Sequence, residues 1–199
     1  AYGVDETGKP VLHEPAHVAF GLAIDVPGAD GQRRLLVPSI KQADLMDLSQ
    51  FVEAYEAIVA KARDNKLGLD DFRGTTVTLT NPGMIGTLHS VPRLMPGQGL
   101  IVGVGAMDYP AAFAGASPDT LARQAIGKVV TLTSTYDHRV IQGAASGEFL
   151  RLVERKLLGL DGFWNRAFES LRLPLEPVKW VRDTPYHPDL APGKPARGA

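Results

Sequence analysis

The sequence predicts an α/β domain, a mixed β-sheet covered by helices. Three observations carry that expectation. Short runs rich in β-branched and small residues alternate with two long amphipathic stretches, the pattern of a sheet interleaved with helices. Apolar residues make up 44% of the chain and charged residues 22%, the balance of a protein that packs a core. At roughly 150 residues per domain, a length of 199 allows one domain with an appendage.

The elements follow in order. From His17, HVAFGLAIDV leads through the turn-forming PGADGQRR to LLVPSI, which reads as two strands joined by a loop. Leu45, Leu48, Phe51, Val52, Tyr55, Ile58, Val59 and Ala62 then recur at helical spacing as one apolar stripe. Asp47 with Gln50 three residues later makes a capping box, Asp44 is an alternative cap one turn earlier, and the breaker-rich DNKLGLDDFRG ends the helix. TTVTLT (75–80) reads as a strand, NPGMIG as a turn, and GLIVGVGAM (99–107) as a strand whose glycines admit close backbone approach. After a polar loop comes a strand in KVVTLTSTY (128–136), then a helix over about 144–158 with Phe149, Leu150, Val153 and Leu157 on one face. The proline-rich tail from about Pro174 reads as an extended linker.

Charge and composition exclude several functions. Lysine plus arginine number 21 against 22 acidic residues, so there is no basic excess with which to neutralise nucleic-acid phosphates. The absence of cysteine removes disulfides, thiolate metal sites and a cysteine nucleophile, and fits a reducing, cytoplasmic location. The longest apolar run, 100–107, is interrupted by Gly103 and Gly105 and falls short of the roughly 18 residues of a membrane span, so no membrane partner is expected. The chain opens on Ala1, and AYGVDETGKP has neither a basic start nor an apolar signal core, so it reads as cut from a longer protein.

Two motifs are decoys. His13-Glu14-Pro15-Ala16-His17 fits the zinc-peptidase pattern, whose chemistry needs both histidines on one helical face. Pro15 breaks that helix at a cost of about 3 kcal/mol, so a strand-edge pair is expected and no metal. Gly97, Gly99, Gly103 and Gly105 resemble a dinucleotide fingerprint, yet they run into a strand instead of opening a helix, which points to a structural role.

The informative segment is TLTSTYDHRVIQG (131–143), where His138 closes a strand between Asp137 and Arg139, ahead of Gly143 and a helix. Histidine titrates nearest neutrality, and neighbouring charge fixes its tautomer, so this position suits a general base.

Tyr136-Asp137-His138-Arg139-Val140-Ile141-Gln142-Gly143 resembles the D-H-R-x-x-D-G signature of the dihydrolipoyl acyltransferase catalytic domains of 2-oxo-acid dehydrogenase complexes. FRGTTVTLTNPGMIG (72–86) is similar to that family's glycine-bounded strand ending in Ser/Thr-Asn-x-G, and the resemblance covers about residues 16–158. HSVPRLMPGQGLIVGVGAM, STYDHRVIQGAASGEFL, DGFW and PVKW resemble its fused branch, multifunctional 2-oxoglutarate dehydrogenase/decarboxylases with a succinyltransferase-like domain ahead of a thiamine-diphosphate dehydrogenase.

The resemblance implies a chloramphenicol acetyltransferase-like fold, incomplete at its N-terminus, over residues 1–160, with 161–199 linking to a fused dehydrogenase. It implies succinyl transfer between coenzyme A and a dihydrolipoyl group on a partner, with His138 as thiol base and Thr80 as oxyanion donor. Asp137, Arg139, Asn81, Gln142 and Gly143 are supporting residues by the same resemblance. Gln142 stands where the signature has aspartate and supplies no negative charge. A homotrimer is implied, with histidine and hydroxyl arriving from neighbouring chains and partnered by lipoyl domains and dehydrogenase components. Thiamine diphosphate and magnesium are expected only in the fused region outside this chain. His89 and Arg93, in the loop after Thr80, are open to reading as distal carboxylate contacts or as solvated surface. Two other functions compete: a non-catalytic trimeric assembly module for the fused dehydrogenase, and chloramphenicol-type acetyl transfer, which the D-H-R context does not support.

Overall fold

A computed structural model describes residues 1–28 and 31–174. The chain begins with a hairpin that sequence patterning did not reveal. β1 (Tyr2–Val4) pairs antiparallel with β2 (Pro10–Leu12), around a turn in which the Asp5 carboxylate accepts from the Thr7 and Lys9 amides. Three-residue strands holding Gly3 and Pro10 carry no legible alternation.

The two expected strands each divide. β3 (Phe20–Leu22) enters the main sheet, while β4 (Ile24–Pro27) forms a separate hairpin with β5 (Arg33–Leu36), after which β6 (Ser39–Ile40) returns to β3. α1 (Leu48–Arg63) starts at the expected capping box, since Asp47 accepts from the Gln50 amide and the Gln50 side chain accepts from the Asp47 amide. Asp44 does not cap it. Its carboxylate takes the Val18 amide and lies 3.1 Å from His17 Nδ1. Leu45 and Tyr55 fall outside the buried stripe, at 62% and 43% exposure; Leu45 does so because it sits in the preceding 3-10 turn (Ala43–Leu45). α2 (Leu69–Phe72) is a single turn, followed by β7 (Val77–Thr80) and β8 (Leu100–Val104). The polar loop then contains α3 (Pro118–Arg123), capped by Ser117. β9 (Leu132–Tyr136) and α4 (Gly143–Leu157) complete the expected succession.

The main sheet has the order β6-β3-β7-β8-β9, with β3, β7 and β8 parallel and both edges antiparallel. This is the mixed sheet the sequence predicts, though both long helices lie on one face. Leu22 and Ile40 point to that side and pack with Ile58 of α1, surrounded by Phe20, Phe51 and Val59. On the same side Ser134 of β9 meets Ser146 of α4, with their hydroxyl oxygens 2.6 Å apart. Phe149 and Leu157 of α4 remain 37% and 47% exposed.

The opposite face is covered by the extended chain 86–99. Thr78 donates to the buried Gln98 side chain at 2.8 Å, and Thr133 donates to the Ser90 carbonyl. Of the glycines read as structural, Gly103 and Gly105 are used here: a Cβ on Gly103 would collide with the Thr133 hydroxyl, and one on Gly105 with the Leu88 carbonyl. Gly83, in the turn after β7, is equally confined, since a Cβ there would collide with the Gly105 carbonyl. Gly83→Ala is accordingly expected to destabilise the domain by about 2 kcal/mol. That corresponds to a Tm lower by about 4–8 °C in a thermal melt.

After α4, α5 (Phe163–Ser170) packs against α1 and α4, so residues in the segment expected as linker are folded onto the domain. The remaining linker, 175–199, lies outside the described residues. Among the described residues no helix is long and apolar enough to cross a membrane.

Candidate active site

β9 delivers its chain end to a tight turn. The Asp137 amide donates to the Gly99 carbonyl at 3.0 Å, continuing the pairing with β8, and the Val140 and Ile141 amides both donate to the Asp137 carbonyl. The Asp137 side chain, 12% exposed, accepts from the Arg139 amide and is forked by the guanidinium, with Nε at 2.8 Å and the terminal nitrogen at 2.6 Å. These bonds hold the Asp137 carboxyl down at about 2 and raise Arg139 further.

Because the folded pKa is depressed, the stabilisation is present above the unfolded value near 3.9. It is lost as pH falls through about 2. Asp137→Asn is expected to flatten the pH dependence of unfolding between about pH 4 and pH 2, measured by urea titrations across that range.

His138 stands between the pair, exposed, with its ring 5.5 Å from that of Tyr136. Gly143 permits this platform, because a Cβ there would press on the Tyr136 hydroxyl at 3.3 Å. Gln142 occupies the N-cap of α4, and its side chain makes no capping bond. An aspartate at that position would cap the helix; glutamine is a weaker choice there. The opening of α4 is instead held by the Ser134–Ser146 contact.

Thr80 ends β7, followed by Asn81 at the cap of a 3-10 turn (Pro82–Ile85). Among the described residues, neither the Thr80 hydroxyl nor the His138 ring has a hydrogen-bond partner. The two do not meet within one chain. Tyr136 pairs with Leu100, which pairs with Val77, so His138 lies past the start of β7 while Thr80 lies at its end. With a rise of about 3.3 Å per residue, they are on the order of 15 Å apart along the strands. His89 and Arg93 are exposed on the 86–99 segment.

The decoy histidines behave as Pro15 dictates. Residues 13–17 are not helical; the His13 amide extends the first hairpin by donating to the Ala1 carbonyl, and His17 pairs with Asp44.

Comparison with known proteins agrees with this architecture. Residues 3–161 match the 2-oxoacid dehydrogenases acyltransferase (catalytic domain). The chain is 58% identical over 178 residues to the 2-oxoglutarate dehydrogenase E1/E2 component of Corynebacterium glutamicum, and 59% identical over 178 to the multifunctional 2-oxoglutarate metabolism enzyme of Mycobacterium sp. (strain JLS). Each match takes in 89% of this chain but 14% of the relative, so the chain spans a small part of these proteins. Among solved structures it is similar to Azotobacter vinelandii dihydrolipoamide acetyltransferase, with a TM-score of 0.59 at 29% identity, covering 76% of this chain and 58% of that one. That structure was used to study a serine, a histidine and an asparagine in the catalytic mechanism, the asparagine four residues after the histidine, as Gln142 is after His138. A truncated catalytic core of the Thermoplasma acidophilum 2-oxoacid dehydrogenase multienzyme complex gives a TM-score of 0.57 at 28% identity, over 77% of this chain and 63% of that one. A match that runs from the first hairpin to just past α4 settles the assignment: the chain belongs to the family of 2-oxoacid dehydrogenase acyltransferase catalytic domains.

Proposed function

We propose that this domain transfers a succinyl group between coenzyme A and the dihydrolipoyl arm of a lipoyl domain, as a homotrimer within a cytoplasmic, multifunctional 2-oxoglutarate dehydrogenase. 2-Oxoglutarate, named in both relatives, becomes a succinyl group when it loses carbon dioxide and the remaining carbonyl carbon gives up two electrons to an oxidised lipoyl disulfide, which leaves as the succinylated dihydrolipoyl arm. Thiamine diphosphate with magnesium belongs, in this reading, to the dehydrogenase region outside these residues.

His138 takes the proton from the acceptor thiol, and the thiolate attacks the donor thioester carbonyl. The tetrahedral oxyanion accepts a hydrogen bond from the partner subunit's Thr80. Collapse breaks the original carbon–sulfur bond, and the departing thiolate recovers the proton from the His138 imidazolium. Asp137 and Arg139 hold the loop; they touch no reacting atom.

The observation that carries this reading is the placement of the His138 ring and the Thr80 hydroxyl, neither with a hydrogen-bond partner among the described residues, at opposite strand ends of one sheet. A complete site then needs two chains. In the chain after Thr80, Met84, Ile85 and Val91 are 85%, 78% and 73% exposed, apolar side chains of the kind that pack against another subunit.

The test is transfer from succinyl-CoA to dihydrolipoamide by the full-length protein, with its mass read by light scattering. Turnover by a trimer supports the proposal. An intact trimer without turnover would overturn it in favour of the assembly module.

A further inference from the structure

We propose that Tyr2 is a positioning residue for the catalytic loop, acting through Arg139. The inference rests on the reading of His138 as the base. The register of the first hairpin sets Tyr2 opposite Leu12 and Gly3 opposite Val11. The His13 ring fills the space a Gly3 side chain would take, and Tyr2, the adjacent strand position, faces the other way. There its ring lies against the Arg139 guanidinium, with Cζ 3.7 Å from the ring centroid.

The geometry gives that contact a purpose. Asp137 and Arg139 are two residues apart, so their ion pair ties the turn to itself, and the Arg139 side chain is 61% exposed. The carboxylate end is sheltered but the guanidinium lies in water, so the ion pair alone does not fix every rotamer of the long side chain. An aromatic face on the guanidinium restricts those rotamers and joins the turn to a hairpin at the far end of the chain. Asp137 and Arg139 flank His138 on both sides, so anchoring them limits the swing of the imidazole.

The experiment compares parent, Tyr2→Phe and Tyr2→Ala in the full-length protein, by hydrogen exchange and by steady-state transfer. Tyr2→Ala is expected to speed exchange at residues 137–141 while residues 48–63 of α1 stay unchanged. Its kcat is expected to fall about fivefold, the equivalent of about 1 kcal/mol of cation–π contact. KM for coenzyme A should stay within about twofold, since Tyr2 adds no uniform binding. Tyr2→Phe keeps the ring and should match the parent in both readouts. Unchanged protection at 137–141 in Tyr2→Ala, loosening of α1 to the same degree, or equal impairment in Tyr2→Phe would each overturn the proposal. If the parent shows no transfer, or His138→Ala retains it, the catalytic reading fails, and the exchange comparison still decides the role of Tyr2.

Discussion

His138→Ala is expected to lower kcat for succinyl transfer by about 10²–10⁴-fold, the usual worth of a positioned proton transfer. A free thiol with a pKa of about 8.5 is only a few per cent ionised at pH 7, so without the imidazole the reaction draws on that small fraction. The mutant rate should therefore climb almost tenfold for each pH unit from about 6.5 to 7.5, following the thiolate, while the parent rises less steeply. Because the His138 ring is exposed and makes no hydrogen bond among the described residues, its removal should leave the mass and the thermal melt unchanged. Equal transfer by mutant and parent would sink the assignment.

Thr80→Val is expected to cost about 10²–10³ in kcat, the loss of one oxyanion donor. Valine keeps the branched shape of a strand residue, and the hydroxyl has no structural partner to lose among the described residues. The sharper experiment mixes the two defects. If a site takes its base from one chain and its hydroxyl from the next, trimers assembled from co-expressed His138→Ala and Thr80→Val chains contain intact sites. Random assortment restores roughly a quarter of them. A site built within a single chain would recover nothing, since every chain carries one lesion. Transfer assays on the co-purified mixture separate the two cases.

The sequence disclosed much of this through local chemistry. The stripe from Leu48 to Ala62 and the Asp47–Gln50 box specify α1 without outside help, and the segment from Asp137 to Gly143 marks the strand-end turn that carries the candidate histidine. What stayed hidden depends on relations between distant segments. Spacing along the chain carries no strand register, so nothing in it says that Thr80 and His138 lie at opposite strand ends of the sheet. Tyr2 meets Arg139 only because a hairpin of two three-residue strands folds back on the turn, and those strands are too short to pattern. α5 was hidden by its setting: Gly159 and Gly162 punctuate the end of α4 like a linker, yet both adopt left-handed conformations that lead into another helix.

The extended cover over 86–99 also bears on how copies of this protein survive. Helices hold one side of the sheet, whereas the other is closed by a strand of chain pinned at Ser90 and Gln98, with exposed Arg93 between the pins. Such a segment opens at a fraction of the global unfolding free energy, and Arg93 offers trypsin a cleavable bond when it does. A second subunit laid over Met84, Ile85 and Val91 would hold the cover shut. Nicking at Arg93 should then slow as protein concentration rises, and in a cell the copies that never find a partner would be the first removed by proteases.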